Sequence, residues 1–175
     1  MSVILTGFMG TGKTTVGRRL AQRLGTQFVD TDQQIEQQEG RSIASIFATE
    51  GEAYFRGVER RIVAQAVQMD AVVATGGGAI ADPANLEGMR GAGPIICLTA
   101  DVDVILQRTA ADNSRPLLGE TEQRARVSDL LRQREAAYAQ ADVTIDTSHR
   151  TVEAVLDDIL AFLQRKQSHH QGKQR

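Results

Sequence analysis

With 175 residues, 41% of them apolar and 24% charged, the chain has the length of one domain that buries its own core and the composition of a soluble globular protein. Its formal net charge of -2 excludes the strong basic excess of a dedicated nucleic-acid binder. No apolar stretch approaches the roughly 20 residues of a bilayer span, and no charged-then-apolar leader opens the sequence.

The first apolar run, SVILT (2–6), reads as a buried strand, and it leads directly into GFMGTGKTT (7–15). From Lys13 to Leu24, apolar residues at Val16, Leu20, Ala21 and Leu24 share one helical face, and Gly25 is placed to end that helix. QFVD (27–30) is a second strand, followed by a helix for which either Asp30 or Asp32 is a suitable N-cap. Residues 42–69 stay in helical register with a break expected near Gly51. A third strand, AVVAT (71–75), runs into Gly76, Gly77 and Gly78.

PIICLT (94–99) is the fourth strand and holds Cys97, the single cysteine, which reads as a small buried hydrophobe. A reduced cysteine of this kind fits the cytoplasm. Asp101 is the expected cap of a helix over 102–111. ADNSRPLLGETEQ (111–123) is polar, carries Pro116 and Gly119, and is too long for an ordinary connection. Arg134 falls in a later helical segment, VTIDT (143–147) is the fifth strand, and 151–164 is the last helix. The remainder, with His169 and His170, reads as a solvated, frayed tail and not as a metal site. Five short apolar strands alternating with helices imply an α/β domain whose parallel sheet is covered on both faces. No long exposed apolar helix invites a partner, so a monomer is expected.

Gly7-x-x-x-x-Gly12-Lys13-Thr14 fits the phosphate-binding P-loop, with a strand before and a helix after. Glycines let successive N–H groups turn inward around one anion, and the helix start adds unpaired N–H groups. Gly10, Thr11, Gly12, Lys13, Thr14 and Thr15 are therefore candidate nucleotide ligands, with Lys13 reaching the β- and γ-phosphates. The Thr14 hydroxyl is a candidate Mg²⁺ ligand. The partner carboxylate is sought at a neighbouring strand end; AVVATGGG offers none, whereas QFVDTD offers Asp30 and Asp32.

In order, GFMGTGKTTVGRRLAQRLG, FVDTDQQIE, GRSIASIFATEGEAYFRGVE, TGGGAI, SRPLL and RQREAAYAQAD resemble the shikimate kinase family, over about residues 2 to 160. The resemblance implies a three-layer α/β/α P-loop kinase fold with a five-stranded parallel sheet and a lid. The implied domain spans 1–166, with the lid near 111–124 and a tail at 167–175. It implies transfer of the γ-phosphoryl of ATP to the 3-hydroxyl of shikimate, in the pathway to chorismate and the aromatic amino acids. On this pattern Asp32 holds the ring hydroxyls and orients the attacking one, and Asp30 helps hold Mg²⁺ through water. Arg56 and Arg134 clamp the substrate carboxylate, and Gly77 gives its N–H to the acceptor. Arg115, in the lid, comes against the phosphates, so that Lys13, Asp32 and Arg115 form the catalytic set. Arg150 lines the adenine side, where Arg108 is either a further candidate contact or a surface residue.

Without that pattern, Arg56 beside Glu59 and Arg134 beside Glu135 would pass as ordinary solvated ion pairs. A P-loop kinase for another hydroxy acid such as gluconate would use the same arginines. A nucleotide switch is the reading from another class, but the sequence has neither N-K-x-D for guanine nor L-S-G-G-Q of the ABC type.

Overall fold

Short strands that are apolar on both faces belong in the middle of a sheet with helices above and below, and the computed structural model has that arrangement. It describes residues 1–110 and 120–172. The strands β1 (Val3–Thr6), β2 (Gln27–Asp30), β3 (Ala71–Ala74), β4 (Ile95–Thr99) and β5 (Val143–Asp146) form one sheet in the order β2-β3-β1-β4-β5. All four pairings are parallel, with Leu5 level with Ala74 on one side and with Ile96 on the other.

Alternation along the strands sorts the side chains into two cores. Ile4, Val73, Ile95 and Cys97 face a layer supplied by α4 (Glu52–Ala66), α5 (Pro83–Ala92), α6 (Val102–Thr109) and α7 (Glu120–Tyr138). Val3, Leu5, Val72, Ile96 and Leu98 face α1 (Lys13–Leu24) and α8 (Val152–Gly172). The three-layer α/β/α expectation therefore holds. A third cluster, Ile35, Ile46, Phe55, Val58 and Ile62, ties α2 (Thr31–Glu39) and α3 (Ile43–Glu50) to α4 as a small lobe beside β2. No helix among the described residues is long and apolar enough to cross a membrane.

Most expected elements are found within two residues of their predicted ends, and Gly51 does separate α3 from α4. Of the two candidate caps of α2, Asp30 serves: its Oδ1 accepts from the N–H groups of Asp32 and Gln33. Several other local readings need correction. Asp101 stands at the N-cap position of α6 without accepting a capping hydrogen bond. The helix α5, led by the Asp82 cap and Pro83, was not anticipated. The lid assigned to 111–124 overlaps α7, which already begins at Glu120; residues 111–119, Arg115 among them, lie outside the described residues. The segment read as a frayed tail continues α8 as helix to Gly172, and 173–175 also lie outside the description. Cys97 is buried as expected, and burial pushes its thiol up to about 11, which leaves it unreactive.

Candidate active site

All five strands of a parallel sheet end on the same edge, and the groups singled out in the sequence collect there. Leaving β1, Gly7 takes φ 132, and a side chain there would meet the Leu98 carbonyl oxygen at 2.1 Å. Gly10 (φ 75) and Gly12 (φ 95) are left-handed as well, so the loop closes on itself by conformations that favour glycine. Lys13 Nζ donates to Gly7 O at 2.8 Å and Phe8 O at 2.9 Å, folding across the loop. Thr14, in the first turn of α1, donates its hydroxyl to Asp30 Oδ2 at 2.9 Å. A cavity of about 700 Å³ opens over these groups, and its lining includes Lys13, Thr14, Asp30, Asp32, Arg108 and Arg150.

Three charges sit close together beneath that opening. Burial holds the Lys13 ammonium below its ordinary value, although Asp32 and Asp30 pull the other way. Burial also pushes the Asp32 carboxyl up to about 6; neighbouring Asp30 adds to the rise and Lys13 opposes it. Asp32 Oδ1 is buried without a hydrogen-bond partner among the described residues. A buried acceptor of this kind is costly unless a ligand hydroxyl or water completes it, so the atom is poised to receive one. Thr14 and Asp30 present a hydroxyl and a carboxylate side by side, the oxygen donors that a hard cation needs when most of its shell comes from water and phosphate. The residues present fit Mg²⁺.

The turn after β3 joins this corner to a second group of residues. A side chain at Gly76 would lie 2.7 Å from Asp32 Oδ1 and 3.0 Å from Glu59 Oε1. At Gly77 it would meet Arg134 Nη1 at 3.2 Å, and at Gly78 both terminal nitrogens of Arg56 at 2.9 Å. Glycine is required here by close approach: two guanidinium groups and two carboxylates press on one backbone turn. Arg56 donates to Glu59 Oε2 at 2.6 Å and reaches Glu52 Oε1 at 3.4 Å. Arg134 lies over the Phe8 ring, 5.5 Å from its centre, while Tyr138 donates its hydroxyl to Gly77 O at 2.8 Å.

The structure therefore brings Gly10, Thr11, Gly12, Lys13, Thr14, Thr15, Asp30 and Asp32 to one cavity and places Arg56, Gly77 and Arg134 at the adjoining turn. Arg150 does line the cavity, but its guanidinium is engaged with Asp158 at 2.8 Å and with the carbonyls of Asp146 and Ala154. Arg108 is not a plain surface residue: it donates to Gly10 O, Thr147 Oγ1 and Thr147 O. The Arg56–Glu59 pair is no solvated ion pair either, since Glu59 is 1% exposed. Tyr138 and Thr147 escaped the sequence reading altogether; Tyr138 follows Arg134 by one helical turn and Thr147 closes the fifth strand pattern, which are signals of position but not of contact.

Residues 9–164 match the family described as shikimate kinase. A shikimate kinase of Caldanaerobacter subterraneus subsp. tengcongensis is 43% identical over 160 residues, covering 91% of this chain and 94% of its own. One from Moorella thermoacetica is 45% identical over 159 residues, with 90% and 91% coverage. Among solved structures, shikimate kinase from Acinetobacter baumannii in complex with shikimate superposes with a TM-score of 0.86 at 38% identity, covering 94% of this chain and 93% of that one. A match of this extent, on a fold and a phosphate loop already established from the chain itself, means that the protein belongs to the shikimate kinase family.

Proposed function

We propose that this chain transfers the γ-phosphoryl group of ATP to the 3-hydroxyl of shikimate, releasing ADP and shikimate 3-phosphate. The observation that carries the reading is the junction at Gly76: the buried, unpartnered Asp32 oxygen stands between the P-loop with Lys13 and the turn bearing Arg56 and Arg134. An anion made of phosphates fits the first side, and a carboxylate with ring hydroxyls fits the second.

The loop amides around Gly10, Thr11 and Gly12 and the start of α1 at Thr14 and Thr15 bind the phosphates, and Lys13 neutralises the charge that grows on the β–γ bridge. Thr14 and Asp30 hold Mg²⁺, which when bound supplies further neutralisation of the phosphate oxygens. Arg56 and Arg134 grip the acceptor carboxylate by paired N–H donors, and the Gly77 N–H adds to the hold on the acceptor. Asp32 accepts from the acceptor hydroxyl and orients it. The hydroxyl oxygen bonds to the γ-phosphorus, the bond from that phosphorus to the β–γ bridging oxygen breaks, and the proton passes to Asp32. A carboxyl titrating near 6 receives that proton more readily than an ordinary aspartate, and a loose transition state asks for little base strength. The family resemblance assigns Arg115, which lies outside the described residues, to the same phosphates, and Arg150 borders the adenine side. A monomer in the cytoplasm is part of the same proposal, and the free, buried thiol of Cys97 fits a reducing compartment.

Coupled ADP release in ATP and Mg²⁺ tests the proposal with shikimate, gluconate or no acceptor. Turnover is expected with shikimate and near background otherwise. Turnover with gluconate would move the acceptor assignment, and equal turnover without any acceptor would replace the kinase by a nucleotidase or switch.

A further inference from the structure

In a loop whose amide N–H groups face a ligand, the carbonyl oxygens of the same peptides face outward. A trans peptide is planar, with its C=O and N–H opposed, so whatever fixes a carbonyl also fixes the direction of the next residue's N–H. The partners of these outward carbonyls therefore decide how well the phosphate cradle is formed. Gly7 O and Phe8 O accept from Lys13 Nζ, Phe8 O also from the Thr11 hydroxyl, and Gly12 O from the Val16 N–H within α1. Two others lean on distant elements: Gly10 O accepts from Arg108 of α6 at 3.2 Å, and Thr11 O accepts from the Thr147 hydroxyl at 3.0 Å.

Thr147, 4% exposed, is the node of this outer support. Its hydroxyl accepts from Arg108 Nη1 at 3.0 Å, and its carbonyl accepts from Arg108 Nη2 at 2.9 Å. The hydroxyl has one hydrogen to give, and both Thr11 O and Thr99 O stand at 3.0 Å. Thr99 O already accepts from the Thr147 N–H at 2.8 Å, so the hydrogen is needed at Thr11 O. On the other flank α6 packs so closely that a side chain at Gly10 would meet Thr109 Cγ2 at 2.9 Å.

We infer that Thr147 is a positioning residue for nucleotide binding: its hydroxyl, oriented by Arg108, locks the Thr11–Gly12 peptide so that the Gly12 N–H points into the phosphate cradle. The inference rests on the proposal that the loop binds nucleotide. It assigns the strength of phosphate binding partly to the end of β5, far from the P-loop in sequence. The acceptor side, built around Gly76–Gly78, has no share in this node.

The test is calorimetric titration of ADP with Mg²⁺, and separately of shikimate, into the full chain and its Thr147→Val, Thr147→Ala and Thr147→Ser variants. Losing a buried hydroxyl that serves both a carbonyl and a guanidinium is expected to weaken ADP about tenfold in the Val and Ala variants. Thr147→Ser is expected to stay within about twofold of the parent, and shikimate affinity to be unchanged throughout. Among folded variants, three results overturn the inference: ADP bound by Thr147→Val as by the parent, Thr147→Ser falling with Thr147→Val, or ADP and shikimate weakening together. Should Thr147→Val fail to fold, the Ala and Ser pair decides. If both Val and Ala fail to fold while Ser folds, the hydroxyl serves folding and the inference is overturned. A parent chain that binds no ADP refutes the nucleotide reading itself, a different outcome from a parent that binds and a Thr147→Val variant that matches it.

Discussion

The two halves of the site are built from different materials. The phosphate half is one contiguous stretch, residues 7–15, whose working groups are mostly backbone and whose shape is set by left-handed glycines. The proposed acceptor half is gathered from Asp32, Arg56 with Glu59, Gly76–Gly78, and Arg134 with Tyr138, and its proposed working groups are mostly charged side chains. A backbone site takes most of its shape from its own stretch, with Arg108 and Thr147 fixing two of its carbonyls from outside. A side-chain site depends on four segments arriving together, and each buried charge needs its counterpart in place. The halves meet at Gly76, beside Asp32 Oδ1, and they are expected to fail separately when mutated.

The largest effect is expected from Lys13→Met, which removes a buried ammonium from the phosphate half. The kcat should fall about 10³-fold or more, while shikimate affinity stays within about twofold, as read by steady-state kinetics and titration. The mirror experiment is Arg134→Ala. It should raise the KM for shikimate about 10²-fold and leave the KM for ATP nearly unchanged; equal losses for both substrates would erase the division between the halves.

Asp32 sharpens the comparison at the boundary. Its carboxyl titrates near about 6 in the folded protein against an ordinary 3.8, because burial and Asp30 disfavour the charged form. The folded state therefore binds a proton more tightly than the unfolded one. The group's contribution to stability is fully present below 3.8 and is lost as pH rises through about 6. In the absence of nucleotide and metal, Asp32→Asn should stabilise the protein at pH 7 by about 2 kcal/mol in urea unfolding, and this advantage should vanish as the pH approaches 4. An Asp32→Asn variant less stable than the parent at pH 7 would contradict the burial account. The smallest effect is expected from Glu59→Gln, which keeps the shape of the Arg56 partner but removes its charge. A rise of about tenfold in the KM for shikimate, with ATP unaffected, would place Arg56 orientation under Glu59.

The same contrast explains what could be read from the sequence. The P-loop was legible because glycine spacing, the preceding strand and the following helix encode its geometry within a few residues, and α1 begins and ends where its pattern says. The parallel sheet was legible because its three central strands, β3, β1 and β4, are apolar on both faces. Arg56 and Arg134 emerged from the ordered resemblance, not from their surroundings, since Glu59 looked like a surface partner until α4 was packed against the Gly76–Gly78 turn. Thr147 and Tyr138 act over separations of 136 and 61 residues, which no local pattern reveals. One miss, α5, had a readable cause. Asp82-Pro83 carries the cap and first-turn proline that start α5. Asp30, still at the strand end, already reaches the second and third N–H groups of α2, so Asp32 is released for the site.

Phosphorus NMR of ATP, Mg²⁺ and shikimate with the enzyme examines the junction itself. A phosphomonoester resonance coupled to the proton on carbon 3 of shikimate should grow at the rate the γ-phosphorus signal of ATP declines. Inorganic phosphate growing in its place, or a phosphomonoester on another hydroxyl, would mean that Asp32 does not present the 3-hydroxyl to the phosphates held by the loop.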